Sequence, residues 1–171
     1  MGDNLSYFRT DGTPPLLEQT IPARFTEIAA RFPAQEAVVS RTQGRRLTYR
    51  ELSEGIKQLA RGLMGAGFKK GERIGIWSTN NIEWLLVQLA TAQIGAILVN
   101  INPAYRCKEL AFALQRSEVQ GLFLIPSFKS SNYVAMLSEL VPELENCPPN
   151  ALASKAFPFL RRVVLYNPGD P

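Results

Sequence analysis

Near residues 73, 97 and 121 the sequence begins a short apolar run, a spacing of about 24 residues. That spacing is close to the shortest crossover that can return a chain to a parallel neighbouring strand. The first run is Arg73-Ile74-Gly75-Ile76-Trp77; the others cover 96–100 and 121–125. Residues 84–94 and 106–116 lie between them and have helical length. A leucine-rich repeat has a similar period, but its Leu-x-x-Leu-x-Leu strand pattern is missing. The pattern therefore predicts an α/β fold, a doubly wound, mostly parallel sheet flanked by helices with right-handed crossovers. The 84–94 segment is apolar on nearly all sides, which predicts burial on both of its faces.

The elements before the repeat carry their own local signals. Residues 21–31 place Phe25, Ile28, Ala29 and Phe32 on one side of a helix that Pro33 stops. Segments 37–40 and 45–48 flank Thr42-Gln43-Gly44, an N-terminal β-hairpin with glycine supplying the positive φ. Thr48-Tyr49-Arg50-Glu51 is a capping box, with Leu47 and Leu52 placed as its hydrophobic staple. Leu52, Ile56, Leu59 and Leu63 continue at helical spacing into Gly65-Ala66-Gly67. After a further helix at 131–140 the texture changes. Six of the 12 prolines fall between Pro142 and Pro171, around one strand at 162–166. The expected organisation is an N-terminal arm (1–20), an α/β subdomain (21–141) and a proline-rich segment (142–171) whose end reads as cut within a loop.

Composition narrows the chemistry. The chain of 171 residues has no histidine, which removes Ser-His-Asp and Cys-His nucleophile pairs and histidine metal sites. Cys107 and Cys147 have no Cys-x-x-Cys spacing, so neither a zinc site nor a disulfide framework is expected, and two thiols suit a reducing compartment. A net charge of +4 favours anionic ligands mildly. The pairs Arg45-Arg46, Lys69-Lys70 and Arg161-Arg162 are far apart in sequence and read as solvated strand and loop ends, not as a nucleic-acid surface. The polar start lacks an apolar signal region, and Met1-Gly2-Asp3-Asn4-Leu5-Ser6 matches the myristoylation pattern only through Gly2 and Ser6. Residues 84–105 are uncharged but interrupted by Gln88, Gln93, Asn100, Asn102 and Pro103, so no transmembrane segment is expected. With no leader visible, a cytoplasmic location is expected.

Few residues point to a reaction. Gly65-x-Gly67-x-x-x-Gly71 nearly spells a dinucleotide fingerprint, but it follows a helix and precedes a strand, so it reads as a helix end and turn. No Walker-type phosphate loop occurs. Glu51 is accounted for by capping, and Glu139, Glu143 and Glu145 read as a solvated helix end. Two segments lie where open α/β sheets bind ligands, at strand carboxyl ends. They are Ser78-Thr79-Asn80-Asn81 and Asn102-Pro103-Ala104-Tyr105-Arg106. Arg106 and Lys108 could meet an anionic phosphate at the helix start, while N-capping alone also explains both segments. Trp77 and Tyr105 read as core.

Four strings in order carry a family resemblance: Leu47-Thr48-Tyr49-Arg50-Glu51-Leu52; Gly67-Phe68-Lys69-Lys70-Gly71-Glu72-Arg73-Ile74; Asn80-Asn81-Ile82-Glu83-Trp84; and 93–106, Gln-Ile-Gly-Ala-Ile-Leu-Val-Asn-Ile-Asn-Pro-Ala-Tyr-Arg. Together they resemble the N-terminal portion of AMP-forming acyl-CoA synthetases, the superfamily that includes luciferases and peptide-synthetase adenylation domains. The last block is most similar to medium-chain fatty-acid–CoA ligases; adenylation domains tend to carry aspartate where Asn102 stands. The resemblance implies that a full-length enzyme activates a carboxylate with Mg2+ and ATP to an acyl-adenylate, then transfers the acyl group to CoA. It also implies that the phosphate loop, the ATP-contacting residues and the mobile C-terminal domain lie beyond Pro171. No catalytic or metal-binding residue is therefore expected here, tight binding of ATP or CoA is not expected, and the piece alone is expected to be inactive. The one residue carried over is Arg106, beside the CoA nucleotide. The expected partner is a fatty acid, medium chain favoured, with no nucleic acid, and a homodimer is open through apolar surface left uncovered. The alternative is a stand-alone flavodoxin-like module that holds a small anion or nucleotide at 78–81 and 102–106 without catalysis.

Overall fold

The structure is a computed structural model and describes residues 16–148 and 151–168. The myristoylation-like start and the last three residues lie outside the described residues. Helix α1 (Ile21–Arg31) opens on Thr20, whose hydroxyl accepts the Ala23 N–H at 3.3 Å, and closes before Pro33. The hairpin pairs β1 (Glu36–Ser40) with β2 (Arg45–Thr48), and Gly44 at φ +62° makes its turn.

Helix α2 (Tyr49–Gly65) begins with the expected capping box. The Thr48 hydroxyl accepts the Glu51 N–H at 3.3 Å, while the Glu51 carboxylate accepts the Thr48 N–H and O–H at 2.8 Å each. These donors hold the Glu51 carboxyl below its usual range. Thr48→Ala should therefore lower stability by about 1 kcal/mol, read as a shift in the urea midpoint at constant slope. An unmoved midpoint would mean that solvent replaces the cap.

Four strands form the main sheet in the order β4-β3-β5-β8, all parallel: β3 (Arg73–Trp77), β4 (Ile97–Ile101), β5 (Gly121–Leu124) and β8 (Arg162–Leu165). Alternation along the strands sends side chains to two cores. Ile74, Ile76 and Phe123 face α2 and α3 (Ile82–Gln93), where they meet Leu52, Ile56, Leu63, Val87 and Ala90. Trp77, Leu122 and Leu124 face α4 (Cys107–Arg116) and α5 (Tyr133–Leu140), where they meet Leu110, Leu114, Tyr133 and Leu137. Helices on both faces of a parallel sheet make the expected doubly wound fold. Gly75 sits in this second layer because a Cβ there would stand 3.2 Å from each of Ile101, Val119 and Leu122.

Several details differ from the sequence reading. Helix α3 is not sealed on both sides: Leu85, Leu86 and Leu89 remain half-buried, because the sheet, α1 and α2 cover it without closing around it. The helix expected from 131 starts two residues later, since Ser131–Asn132 pairs as β7 with β6 (Ser127–Phe128) in a miniature hairpin. A 3-10 turn covers Pro142–Glu145. Beyond it, β8 pairs with β5, and Leu152, Phe157 and Leu160 are buried in the α4/α5 core.

Candidate functional site

At the carboxyl end of the sheet, the connection after β3 leaves toward one face and those after β4 and β5 leave toward the other, which opens a crevice. The crevice has a volume of about 520 Å3, and its walls include Ser78, Thr79, Asn80, Trp84, Asn102 and Pro103. Parts of both strand-end segments singled out in the sequence, 78–80 and 102–103, thus line one cleft, and Arg106 lies outside its lining.

On the first wall Ser78 and Asn81 bond within the protein. The buried Ser78 hydroxyl accepts from the Tyr166 O–H at 2.8 Å and from Asn81 Nδ2 at 2.9 Å, and donates to the Thr79 carbonyl at 2.8 Å. Asn81 caps α3 by accepting the Trp84 N–H at 2.7 Å. Burial pushes the Tyr166 hydroxyl above its ordinary pKa. From the hairpin tip, Gln43 accepts the Ile82 N–H at 2.9 Å and donates to Glu83 at 2.7 Å, and Arg45 pairs with the same carboxylate. Ser78 and Asn81 are thus engaged within the protein and serve the α3 cap, while the side chains of Thr79 and the exposed Asn80 face the crevice without a hydrogen-bond partner among the described residues. Tyr166 and Gln43 carry no signal in the sequence, since they reach this wall from 88 and 39 residues away.

The second wall hangs on two aromatic rings. Trp77 and Tyr133 stack with centroids 3.6 Å apart and planes 4° from parallel. Trp77 Nε1 donates to the Asn102 carbonyl at 3.2 Å, and the Tyr133 O–H donates to the Pro103 carbonyl at 2.5 Å. Burial pushes the Tyr133 phenol up to about 12, so it stays protonated as a donor. Asn102 Oδ1 accepts the Ala104 N–H at 2.9 Å and completes a rigid turn into α4.

Arg106 occupies the N-cap position of α4, with its backbone N–H bound to Glu109 at 3.1 Å. Its guanidinium is exposed and reaches Ser130 Oγ at 3.2 Å. Ser130 lies in the β6–β7 turn beside Lys129, which adopts φ +51° and holds its ammonium 5.3 Å from the Phe128 ring centroid. Among the described residues, Arg106, Lys108 and Lys129 make no ion pair. The site therefore has unpaired cations at a helix start, a place that favours phosphate, although the Glu109 carboxylate already accepts the Arg106 N–H there. Lys129 and Ser130 were not legible as site residues, because a two-residue strand has no periodicity to read. Trp77 is fully buried and Tyr105 packs half-buried on the core, as expected.

The glycine cluster is at the other end of the sheet. Gly67 and Gly71 take φ +83° and +82° in the α2–β3 turn, so they are no phosphate cradle for the carboxyl-end cleft.

Residues 25–162 match the family of AMP-binding enzymes. The chain belongs to that family. Within it, the medium-chain acyl-CoA ligase ACSF2 of Rattus norvegicus, named mitochondrial, is 38% identical over 160 residues, covering 94% of this chain and 26% of its own length. The chain thus spans about a quarter of the length of the curated relatives it matches. Among solved structures, the N-terminal domain of FACL13 from Mycobacterium tuberculosis superposes with a TM-score of 0.71 at 18% identity, over 86% of this chain and 34% of that one. Coronafacic acid ligase from Pectobacterium brasiliense gives a TM-score of 0.67 at 23% identity, over 86% and 26%. These two likenesses establish the fold, a doubly wound α/β unit. The expected similarity to medium-chain fatty-acid–CoA ligases holds. Among the described residues, no helix is long and apolar enough to cross a membrane.

Proposed function

We propose that this AMP-binding enzyme chain is the first α/β portion of a fatty-acid–CoA ligase, one that uses ATP with Mg2+ to activate a carboxylate and passes the acyl group to CoA. The observation that carries the reading is the 38% identity over 160 residues to a medium-chain acyl-CoA ligase. A medium-chain fatty acid is accordingly the proposed substrate. The compartment is proposed as the cytosol, although the rat relative is named mitochondrial.

Two features count against a triphosphate in the cleft. Ser78 and Asn81 are consumed by each other, by Tyr166 and by the α3 cap, and the Gly67/Gly71 turn lies at the opposite end. The chain's part in turnover is therefore to position, and it is inactive alone. Phe159 and Leu165 around β8 and Phe112 on α4 are exposed, which supports self-association of the chain.

The Arg106 corner does fit a phosphate. Its guanidinium spends one N–H on a neutral hydroxyl and none on a carboxylate, and the Trp77/Tyr133 pair fixes the turn that aims it. In this reading Arg106, with Lys129 beside it, holds a phosphate of the CoA nucleotide. Arg106→Ala in the full-length enzyme should raise the KM for CoA about tenfold, the loss of a charge-assisted hydrogen bond. ATP-dependent pyrophosphate release should stay unchanged. A KM that does not move removes Arg106 from the site. An isolated 171-residue chain that makes octanoyl-CoA unaided would overturn the larger reading.

A further inference from the structure

The end of the sheet opposite the cleft collects the positive charge of residues 57–70. Lys57 and Arg61 are exposed on α2, one turn apart, and Lys69 and Lys70 lie in the turn that follows. The four line one cleft of about 630 Å3 around Met64 and Ile94. Among the described residues none of them makes an ion pair.

The nearby acids do not cancel this charge. Glu72 is taken by Arg161 at 2.6 Å and by the Lys69 N–H at 3.1 Å. Glu118 is taken by Arg73 at 2.9 Å, and Glu54, one turn before Lys57, is the one acid on the exposed side of α2 near the cluster. Arg162 is half-buried on the other side of Phe68, its guanidinium 5.3 Å from that ring centroid, and lines a neighbouring cleft. The Lys70 stem is packed rather than free: a Cβ on Gly95 would stand 3.0 Å from its Cγ, so the bare glycine (φ +72°) makes room for the stem.

Apolar groups open onto the same end. Met64 is 62% exposed among the cations, and Ile97, 51% exposed, starts β4 there. An unbranched thioether ringed by long-stemmed cations matches the water–lipid boundary, where stems snorkel and an apolar tip enters. A nucleic-acid surface would place exposed aromatic rings among the cations, and this cleft has none: Phe68 is buried beneath it.

We propose that this rim, centred on Lys57, Arg61, Lys69, Lys70 and Met64, docks on a membrane surface bearing anionic phospholipid. The contact is peripheral and weak, set by four cations and one apolar side chain, and it disappears at high salt. It is independent of the acyl-transfer reading, because binding is measured without turnover.

The test is co-sedimentation of the whole chain with vesicles of phosphatidylcholine alone and of equal parts phosphatidylcholine and phosphatidylglycerol. Binding should appear on the anionic vesicles only. Lys69→Gln/Lys70→Gln should weaken it about thirtyfold, from two surface cations. Met64→Ser should weaken it severalfold, while Arg46→Gln, which alters a cation paired with Glu36, should leave it unchanged. All the substituted side chains are exposed, and circular dichroism verifies that each variant keeps the fold. Equal binding to zwitterionic vesicles overturns the proposal, as does full binding by the double glutamine variant. A chain that ignores anionic vesicles yet binds a DNA oligonucleotide overturns it in favour of nucleic acid.

Discussion

Trp77→Ala should lower the free energy of unfolding by about 3–5 kcal/mol, the cost of deleting a large aromatic from a packed core. Trp77 has no exposed surface, stacks on Tyr133 at 3.6 Å, and donates to the Asn102 carbonyl. Its removal therefore opens a cavity, unseats a second ring and leaves a carbonyl without its donor. Domains of this size typically have about 5–15 kcal/mol in total, so the variant should unfold at little denaturant. Trp77→Phe keeps a ring but loses the N–H and should cost about 1–2 kcal/mol. Equilibrium urea unfolding followed by far-ultraviolet circular dichroism measures both without relying on the tryptophan signal. Equal midpoints for Trp77→Ala and the parent chain would mean that the stack does not hold the β4–α4 turn. The effect also reaches the cleft, because that turn supplies Asn102 and Pro103 to its wall and leads into Arg106.

Gly121→Ala should cost about 1–3 kcal/mol by overpacking. A Cβ at this position would stand 2.3 Å from Phe68 Cζ and 2.5 Å from Cε1, well inside contact distance. Phe68 is 4% exposed, with Arg162 over its ring, so the ring has little room to retreat. The missing side chain at the first residue of β5 is thus what lets the α2–β3 connection lie flat against the sheet. A double-mutant cycle tests the contact directly. Phe68→Leu is destabilising alone, but in the Gly121→Ala background it should recover part of the loss, a coupling of about 0.5–3 kcal/mol. Strict additivity of the two substitutions would contradict the contact.

Elements governed by neighbours a few residues apart were legible in the sequence. The Thr48/Glu51 box, the Gly44 turn, the Asn81 cap and the stop before Pro33 all use hydrogen bonds or dihedrals settled within one turn. The 24-residue rhythm was equally readable, because each crossover must contain a strand and a helix of minimum length. From it followed the parallel sheet, and from the parallel sheet the carboxyl ends at 78–81 and 102–106.

What those ends do was decided by partners from far along the chain. Tyr166 binds the Ser78 hydroxyl, Gln43 pins the start of α3, and Tyr133 holds the Pro103 carbonyl, so long-range partners fix both walls of the cleft, and Arg106, past the second wall, reaches Ser130. The pairing of Arg162–Leu165 with Gly121–Leu124 is of the same kind. Apolar rhythm in the sequence records that a residue is covered, not by what. Parallel pairing, long-range hydrogen bonds and the sharing of a rim by separate elements depend on how the helices pack across the sheet, and that is determined only when the whole chain closes on its two cores.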